Sequence, residues 1–301
     1  MIVKTTLLFS MPVLPKILVT GANGQLGSEI TELANTHSNY EWVFCTRAQM
    51  PLDDEQACIN FLTQTAPQFV VNCAAYTAVD KAEQPEEKET LFAINATTVG
   101  AIAAFCKKNE VKLIHVSTDY VFDGNGDKPY KETDTTDPVN IYGASKLLGE
   151  QNILQQNNDA VIIRTAWVYS NFGKNFVKTM LRLMAERPEI NVVNDQVGTP
   201  TYAADLAQTI ISIIDKKEWH PGVYHFSNEG VISWFDFAVA INELSNSGCK
   251  VNPIPTSSFP TPAKRPAYSV LDKTKIKTTF DLRINDWKHS LAICLQKIDS
   301  N

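Results

Sequence analysis

Five residues with an apolar centre, Lys16-Ile17-Leu18-Val19-Thr20, run straight into Gly21-Ala22-Asn23-Gly24-Gln25-Leu26-Gly27, and a helical pattern follows over 28–34. Strand, glycine-rich turn and helix in that order form the unit that holds a dinucleotide pyrophosphate on a helix N-terminus. Each glycine has a task there. Gly21 permits the tight turn, Gly24 lets the backbone approach the pyrophosphate, and Gly27 lets the helix lie close on the strand. Asn23, Gln25 and Leu26 share the loop and are expected beside the cofactor. The spacing is G-x-x-G-x-x-G rather than G-x-G-x-x-G. Strand and helix patterns then alternate from Lys16 to Arg164, which implies a doubly wound parallel sheet.

The fold class is therefore α/β, Rossmann-like. Helices are expected over 54–65, 85–108 and 142–156, and strands over 112–117 and 160–164. The second strand, 41–45, ends in Thr46-Arg47. An acid at this tip would bind the ribose 2′-hydroxyl of NAD; an Arg suits the 2′-phosphate of NADP. Arg47 thus favours NADPH, with NADH tolerated, and Asp53 fits the adenine edge. The strand at 70–75 ends in small residues, so Ala74, Ala75 and the adjoining Tyr76 are expected to lie along the cofactor.

A second constellation lies downstream. Ser117-Thr118-Asp119-Tyr120 closes a strand, and Asn140-Ile141-Tyr142-Gly143-Ala144-Ser145-Lys146 opens a helix. A Tyr four positions before a Lys puts both on one helix face, about one turn apart. An ammonium beside a phenol favours the phenolate, and moving the Tyr142 pKa from ~10 toward ~7 is worth about 4 kcal/mol. Tyr142 is then a proton donor and acceptor at neutral pH, and Thr118 is placed to bond the same substrate oxygen.

After Trp167 the character changes. Residues 175–186, 202–215 and 234–245 read as helices and 190–193 as a strand, while the proline-rich 253–266 reads as a loop. The expected division is an N-terminal extension over 1–15 and a dinucleotide-binding domain over 16–170, to which about 203–227 returns. A smaller C-terminal α/β lobe, about 171–202 and 228–301, holds the substrate. Met1 to Leu14 lacks a cleavage site and reads as an extension rather than a signal peptide, and Met11 is a possible alternative start.

The chain has 301 residues and a net charge of −6, which argues against a nucleic-acid partner. No long apolar run suggests a membrane span. The six cysteines form no C-x-x-C pair and read as buried free thiols of a cytoplasmic protein. The five histidines show no metal-ligand spacing.

Taken together these motifs resemble the extended short-chain dehydrogenase/reductase superfamily and, within it, the dTDP-4-dehydrorhamnose reductases. The likeness runs from about Lys16 to the C-terminus. It rests on the glycine loop, on Ala74-Ala75-Tyr76-Thr77-Ala78-Val79-Asp80-Lys81-Ala82-Glu83 and on Ser117-Thr118-Asp119-Tyr120-Val121-Phe122. Tyr142-Gly143-Ala144-Ser145-Lys146, Arg164-Thr165-Ala166-Trp167-Val168-Tyr169, Asn194-Asp195-Gln196 and the stretch from Pro255 to Pro266 complete it. The resemblance implies hydride transfer from NADPH to C4 of a 4-keto sugar nucleotide. Tyr142 would protonate the alkoxide, Lys146 would hold the nicotinamide ribose, and Thr118 would orient the carbonyl. It also implies that Asp119, Tyr120 and Trp167 surround the sugar, and that Asn175 and Arg265 serve the nucleotide diphosphate.

Some members of the family hold Mg²⁺ with glutamates at a dimer interface. Glu29 matches one such position, but Ala204 stands where a second acid is needed. No metal site and no Mg²⁺ requirement are expected, and the chain is expected as a monomer or homodimer. Three alternatives share the fold. A 4,6-dehydratase needs Thr-Asp-Glu where this chain has Thr118-Asp119-Tyr120. A 4-epimerase would turn over without consuming reductant. A non-catalytic regulatory subunit, like that of methionine adenosyltransferase, would not need the intact Thr118, Tyr142 and Lys146.

Overall fold

The computed structural model describes residues 14–300, so the expected N-terminal extension lies outside the described residues except for its last two. The strands of the main sheet are β1 (Lys16–Thr20), β2 (Glu41–Cys45), β3 (Phe69–Asn72), β4 (Lys112–Thr118) and β5 (Val161–Thr165), with Gly222–His225 at the far edge. Their spatial order is Gly222–His225, β5, β4, β3, β1, β2, and every pair is parallel. The sheet grows from β1 in both directions, which opens a crevice beyond the carboxyl ends of β1 and β3 where ligands bind.

The helices are, in chain order, α1 (Gln25–Ala34), α2 (Glu55–Thr65), α3 (Lys88–Phe92), α4 (Thr98–Lys108), α5 (Ile141–Gln156), α6 (Phe176–Glu186), α7 (Ala203–Ile214), α8 (Trp234–Ser245), α9 (Thr274–Phe280) and α10 (Trp287–Asp299). Both faces of the sheet are covered. Ile17 and Val19 point into one layer with Ile30 of α1 and Leu206 and Ile210 of α7. Leu18 points into the other with Leu62 of α2 and Ile102 of α4. A strand buried on both sides reads as continuous apolar sequence, which is why β1 shows no alternation.

The expected helix over 85–108 is interrupted. A 3₁₀ turn over Pro85–Glu87 leads into α3, and a π turn over Ala93–Thr97 separates α3 from α4. By length and composition Pro85–Lys108 is apolar enough to cross a membrane. Here Val99, Ile102, Ala103 and Cys106 pack it into the core. The six cysteines are all free thiols.

The second lobe has its own core, with Val177 and Met180 of α6, Phe237 and Ile241 of α8 and Leu291 of α10. Its longest strand pair is parallel, Glu189–Val193 with Lys250–Ile254. Residues 250–254 were thus misread in part as loop. Pro253 is tolerated because this sheet has only two strands, so one edge of each needs no donor.

Candidate active site

A cleft of about 1180 Å³ opens between the main sheet and the second lobe. The glycine loop lines one end, and Thr118, Tyr142, Lys146 and Trp167 line the other. At the loop, Gly21 has φ +66, a conformation that favours glycine. A Cβ on Gly27 would strike the Gly21 carbonyl and Ala22 Cα, so this glycine is needed for helix-on-strand contact as expected. Helix α1 starts at Gly24 with no side-chain cap and no acid in its first turn. Its free N–H groups and positive dipole end therefore suit a pyrophosphate.

Asn23, Gly24, Gln25 and Leu26 all line the cleft, as do Arg47, Ala74, Ala75 and Tyr76. Gly27 and Asp53 support it from outside. Arg47 Nη2 is 2.5 Å from Asp53 Oδ2, so the two candidates meet each other. Tyr76 is held by a residue the sequence reading overlooked. Asn95, in the π turn, accepts from Tyr76 N at 2.9 Å and donates to Tyr76 O at 3.1 Å. Its amide also reaches Ser145 Oγ at 3.0 Å. A π turn inside an apolar helical pattern leaves no signal in the periodicity, so Asn95 could not be singled out.

The placement of Tyr142 and Lys146 follows from the helix cap. Asn140 Oδ1 accepts from Gly143 N at 2.8 Å and starts α5, so Tyr142 falls in the first turn and Lys146 one turn later. Tyr142 sits edge-on to Tyr120, ring centroids 5.8 Å apart. Thr118 Oγ1 donates to Asp119 Oδ1 at 2.9 Å and accepts from Tyr120 N.

The expected lowering of the Tyr142 pKa is corrected. Burial pushes the phenol up to about 12, against a smaller opposing pull from Thr118. The Lys146 ammonium is held 2.8 Å from Val116 O and 3.1 Å from His115 Nε2. Burial lowers Lys146 itself to about 8. Asp119 is also buried, and burial raises it to about 6 against smaller opposing pulls from the Ser269 and Thr118 hydroxyls, while Oδ2 has no hydrogen bond of good geometry. That orphan acceptor beside Thr118 is suited to a hydroxyl donor.

Trp167 lines the cleft in a left-handed conformation, φ +49. Trp234, which the sequence reading missed, stacks on it with centroids 3.6 Å apart. Asn175 lies in the cleft wall, but its polar groups are engaged. Oδ1 caps α6 through Lys178 N, and Nδ2 bonds Gln25 Oε1 and Ser170 O at 2.9 and 2.7 Å. Asn175 thus ties the glycine loop to the second lobe rather than presenting free donors. Arg265 Nη2 is 2.8 Å from Asp80 Oδ2, so the proline-rich loop is latched to the segment after β3.

Glu29 is buried, accepts from Ser170 Oγ at 2.6 Å and lies 3.8 Å from Lys297 Nζ. Among the described residues no three His, Cys, Asp or Glu side chains cluster as metal ligands.

Known proteins resemble this chain over nearly its whole length. Residues 15–300 match the family described as RmlD substrate binding domain. A dTDP-4-dehydrorhamnose reductase of Aggregatibacter actinomycetemcomitans is 38% identical over 286 residues, 92% of this chain and 97% of the relative. The enzyme of the same name from Escherichia coli K12 is 39% identical over 94% of this chain and 97% of its own. Among solved structures, dTDP-4-dehydrorhamnose reductase from Bacillus anthracis in complex with NADP superposes with a TM-score of 0.90 at 37% identity. That match covers 95% of this chain and 100% of the other.

Proposed function

Because the chain belongs to the RmlD substrate binding domain family, we propose that Thr118, Tyr142 and Lys146 carry out the family's reduction. The reaction is the NADPH-dependent reduction of the C4 keto group of dTDP-4-dehydro-β-L-rhamnose to dTDP-L-rhamnose, the last step of dTDP-rhamnose biosynthesis. NADPH, when bound, supplies the hydride. Tyr142 delivers its phenolic proton to the C4 oxygen. With its pKa held at about 12 it is fully protonated at neutral pH, as a donor in the reducing direction requires. Thr118 directs the carbonyl, and Lys146 holds the nicotinamide ribose. Asp119, Tyr120 and Trp167 enclose the sugar, and Arg265 meets the diphosphate once it parts from Asp80.

The cofactor lies on residues 16–170 with about 203–227, and the lobe of about 171–202 and 228–301 closes over the substrate. The six free thiols agree with a reducing cytoplasm. One observation carries the reading: Thr118, Tyr142 and Lys146 meet in the same cleft as an uncapped glycine-loop helix end. The test is an assay from dTDP-glucose through the preceding dehydratase and epimerase, following NADPH absorbance. Stoichiometric loss of NADPH is expected. Turnover without loss would mark an epimerase, and no turnover would mark a binding subunit.

A further inference from the structure

A row of polar side chains crosses the sheet beneath the cleft. Thr20 on β1, Asn72 on β3 and His115 on β4 are registered partners on adjacent strands, and all three are buried. Ala74 N donates to Thr20 Oγ1 at 3.1 Å, and Thr20 Oγ1 bonds Asn72 Oδ1 at 2.6 Å. Asn72 Nδ2 lies 2.9 Å from His115 Nδ1, and His115 Nε2 lies 3.1 Å from Lys146 Nζ. Polar groups in the middle of a parallel sheet are costly unless every one is bonded. The row meets that demand only because it ends on Lys146.

An ammonium has three donors. Val116 O takes one of the Lys146 donors and His115 Nε2 faces another, both beneath the cleft. The third is left for the cleft. We propose that His115, braced by Asn72 and Thr20, is a positioning residue for the reduction: it pins Lys146 so that its remaining donor points at the bound reactants. The proposal rests on the reading of Lys146 as a site residue.

The hydrogens make the row sensitive to the charge on Lys146. A neutral imidazole donates from one nitrogen and accepts at the other. With Lys146 protonated, Nε2 accepts, so Nδ1 carries the hydrogen and Asn72 must turn its carbonyl oxygen toward it. With Lys146 neutral, Nε2 donates, Nδ1 accepts and the amide of Asn72 faces it, the orientation in which Thr20 Oγ1 donates to Asn72 Oδ1. Tautomer and amide orientation therefore change together with the lysine. His115 itself stays neutral, since burial and the neighbouring ammonium hold it well below its usual range. Of the other ionisable groups, Glu150 on its own helix acts on Lys146, and Tyr142 one turn back and Asp119 beyond β4 line the same cleft.

The test compares His115→Leu, His115→Gln and Lys146→Met in steady-state NADPH oxidation from pH 6 to 10. His115→Leu removes the acceptor. It should lower kcat about 10- to 100-fold, leave the sugar-nucleotide KM within about threefold, and move the alkaline limb of kcat to lower pH, because an ammonium that loses an acceptor is easier to deprotonate. His115→Gln, which keeps an acceptor near Nε2, should restore most of both. Lys146→Met should abolish turnover. If Lys146→Met stays active, the reading of the site fails. If Lys146→Met is dead while His115→Leu keeps the wild-type kcat and pH profile, the site stands and the positioning role is overturned.

Should His115→Leu not fold, ring ¹⁵N shifts of histidine-labelled wild type and Lys146→Met decide the matter. His115→Gln assigns the His115 signals among the five histidines. A change of tautomer on loss of Lys146 is expected, and an unchanged His115 spectrum refutes the coupling.

Discussion

Tyr142 and Lys146 show how far a motif fixes chemistry at the scale of a single residue. The spacing places both side chains in the cleft, but it says nothing of what each touches. Burial raises the phenol and lowers the ammonium, so the two groups do not form the simple pair that spacing suggests. Tyr142→Phe removes the proton and almost no volume. Turnover should fall by about 10²–10⁴, the usual worth of a general acid, while NADPH binding measured by fluorescence titration stays near wild type. Near wild-type turnover under chemistry-limited conditions would sink the assignment. Arg47 is the second test at this scale. Its side chain is 72% exposed and already paired with Asp53, so its loss should cost little stability. If it meets the 2′-phosphate, Arg47→Ala should lower the preference for NADPH over NADH by roughly tenfold to a hundredfold, the worth of a charge-assisted contact of about 1.5–3 kcal/mol. Equal loss for both cofactors would make Arg47 structural.

Elements were legible where a single period dominated. The β1 strand, its glycine turn and the Asn140-capped α5 each carry local signals that tertiary packing leaves unchanged. The π turn at Ala93–Thr97 and the strand over Lys250–Ile254 do not, because one hides in an apolar helix and the other contains Pro253. Asn95, Trp234 and His115 were missed for a related reason: their partners lie on distant segments and no spacing links them. The edge strand Gly222–His225 illustrates what such long-range contacts do. His225 is fully buried, with Nδ1 3.1 Å from Tyr130 O and its backbone N–H on Glu132. Burial and then Arg164 push its pKa down to about 3. A folded pKa below the unfolded value of ~6.5 means that this stability is complete above about pH 6.5 and lost as pH falls toward 3. By pH 5 the loss from this one group amounts to about 2 kcal/mol, at ~1.36 per pH unit. His225→Gln lacks the titration. The stability gap between wild type and His225→Gln, from urea melts, should therefore shrink by about that amount between pH 7 and pH 5. A gap that does not change with pH would show that His225 is not held neutral.

At the scale of the whole molecule the question is what ties the two lobes into one cleft. Among the links that join them, three lie at the cleft rim or beside it: Asn175 to Gln25, Arg265 to Asp80, and the last helix to the first. In the third, Lys297 of α10 reaches Glu32 at 2.7 Å and Glu29 at 3.8 Å on α1. Glu29 is the position that the family resemblance links with Mg²⁺, and here it meets a lysine ammonium and the Ser170 hydroxyl. Ala204, which stands where a second acid would be needed, packs with the apolar core of the second lobe instead. A cation supplied by the chain itself gives the buried Glu29 carboxylate a partner without a metal. Activity after dialysis against EDTA should then match that of untreated enzyme, and added Mg²⁺ should change it by less than about twofold, since a partner already present leaves little binding energy to gain. The melting temperature and the sedimentation profile should be equally unmoved. Lys297→Met is the complementary arm. It leaves the buried Glu29 bonded to Ser170 with the carboxylates of Glu32 and Asp205 close by, so it should destabilise the fold and create, rather than remove, a response to Mg²⁺ in the melting temperature. Strict Mg²⁺ dependence of the wild type, restored by no other means, would show that the ammonium does not serve in place of the metal.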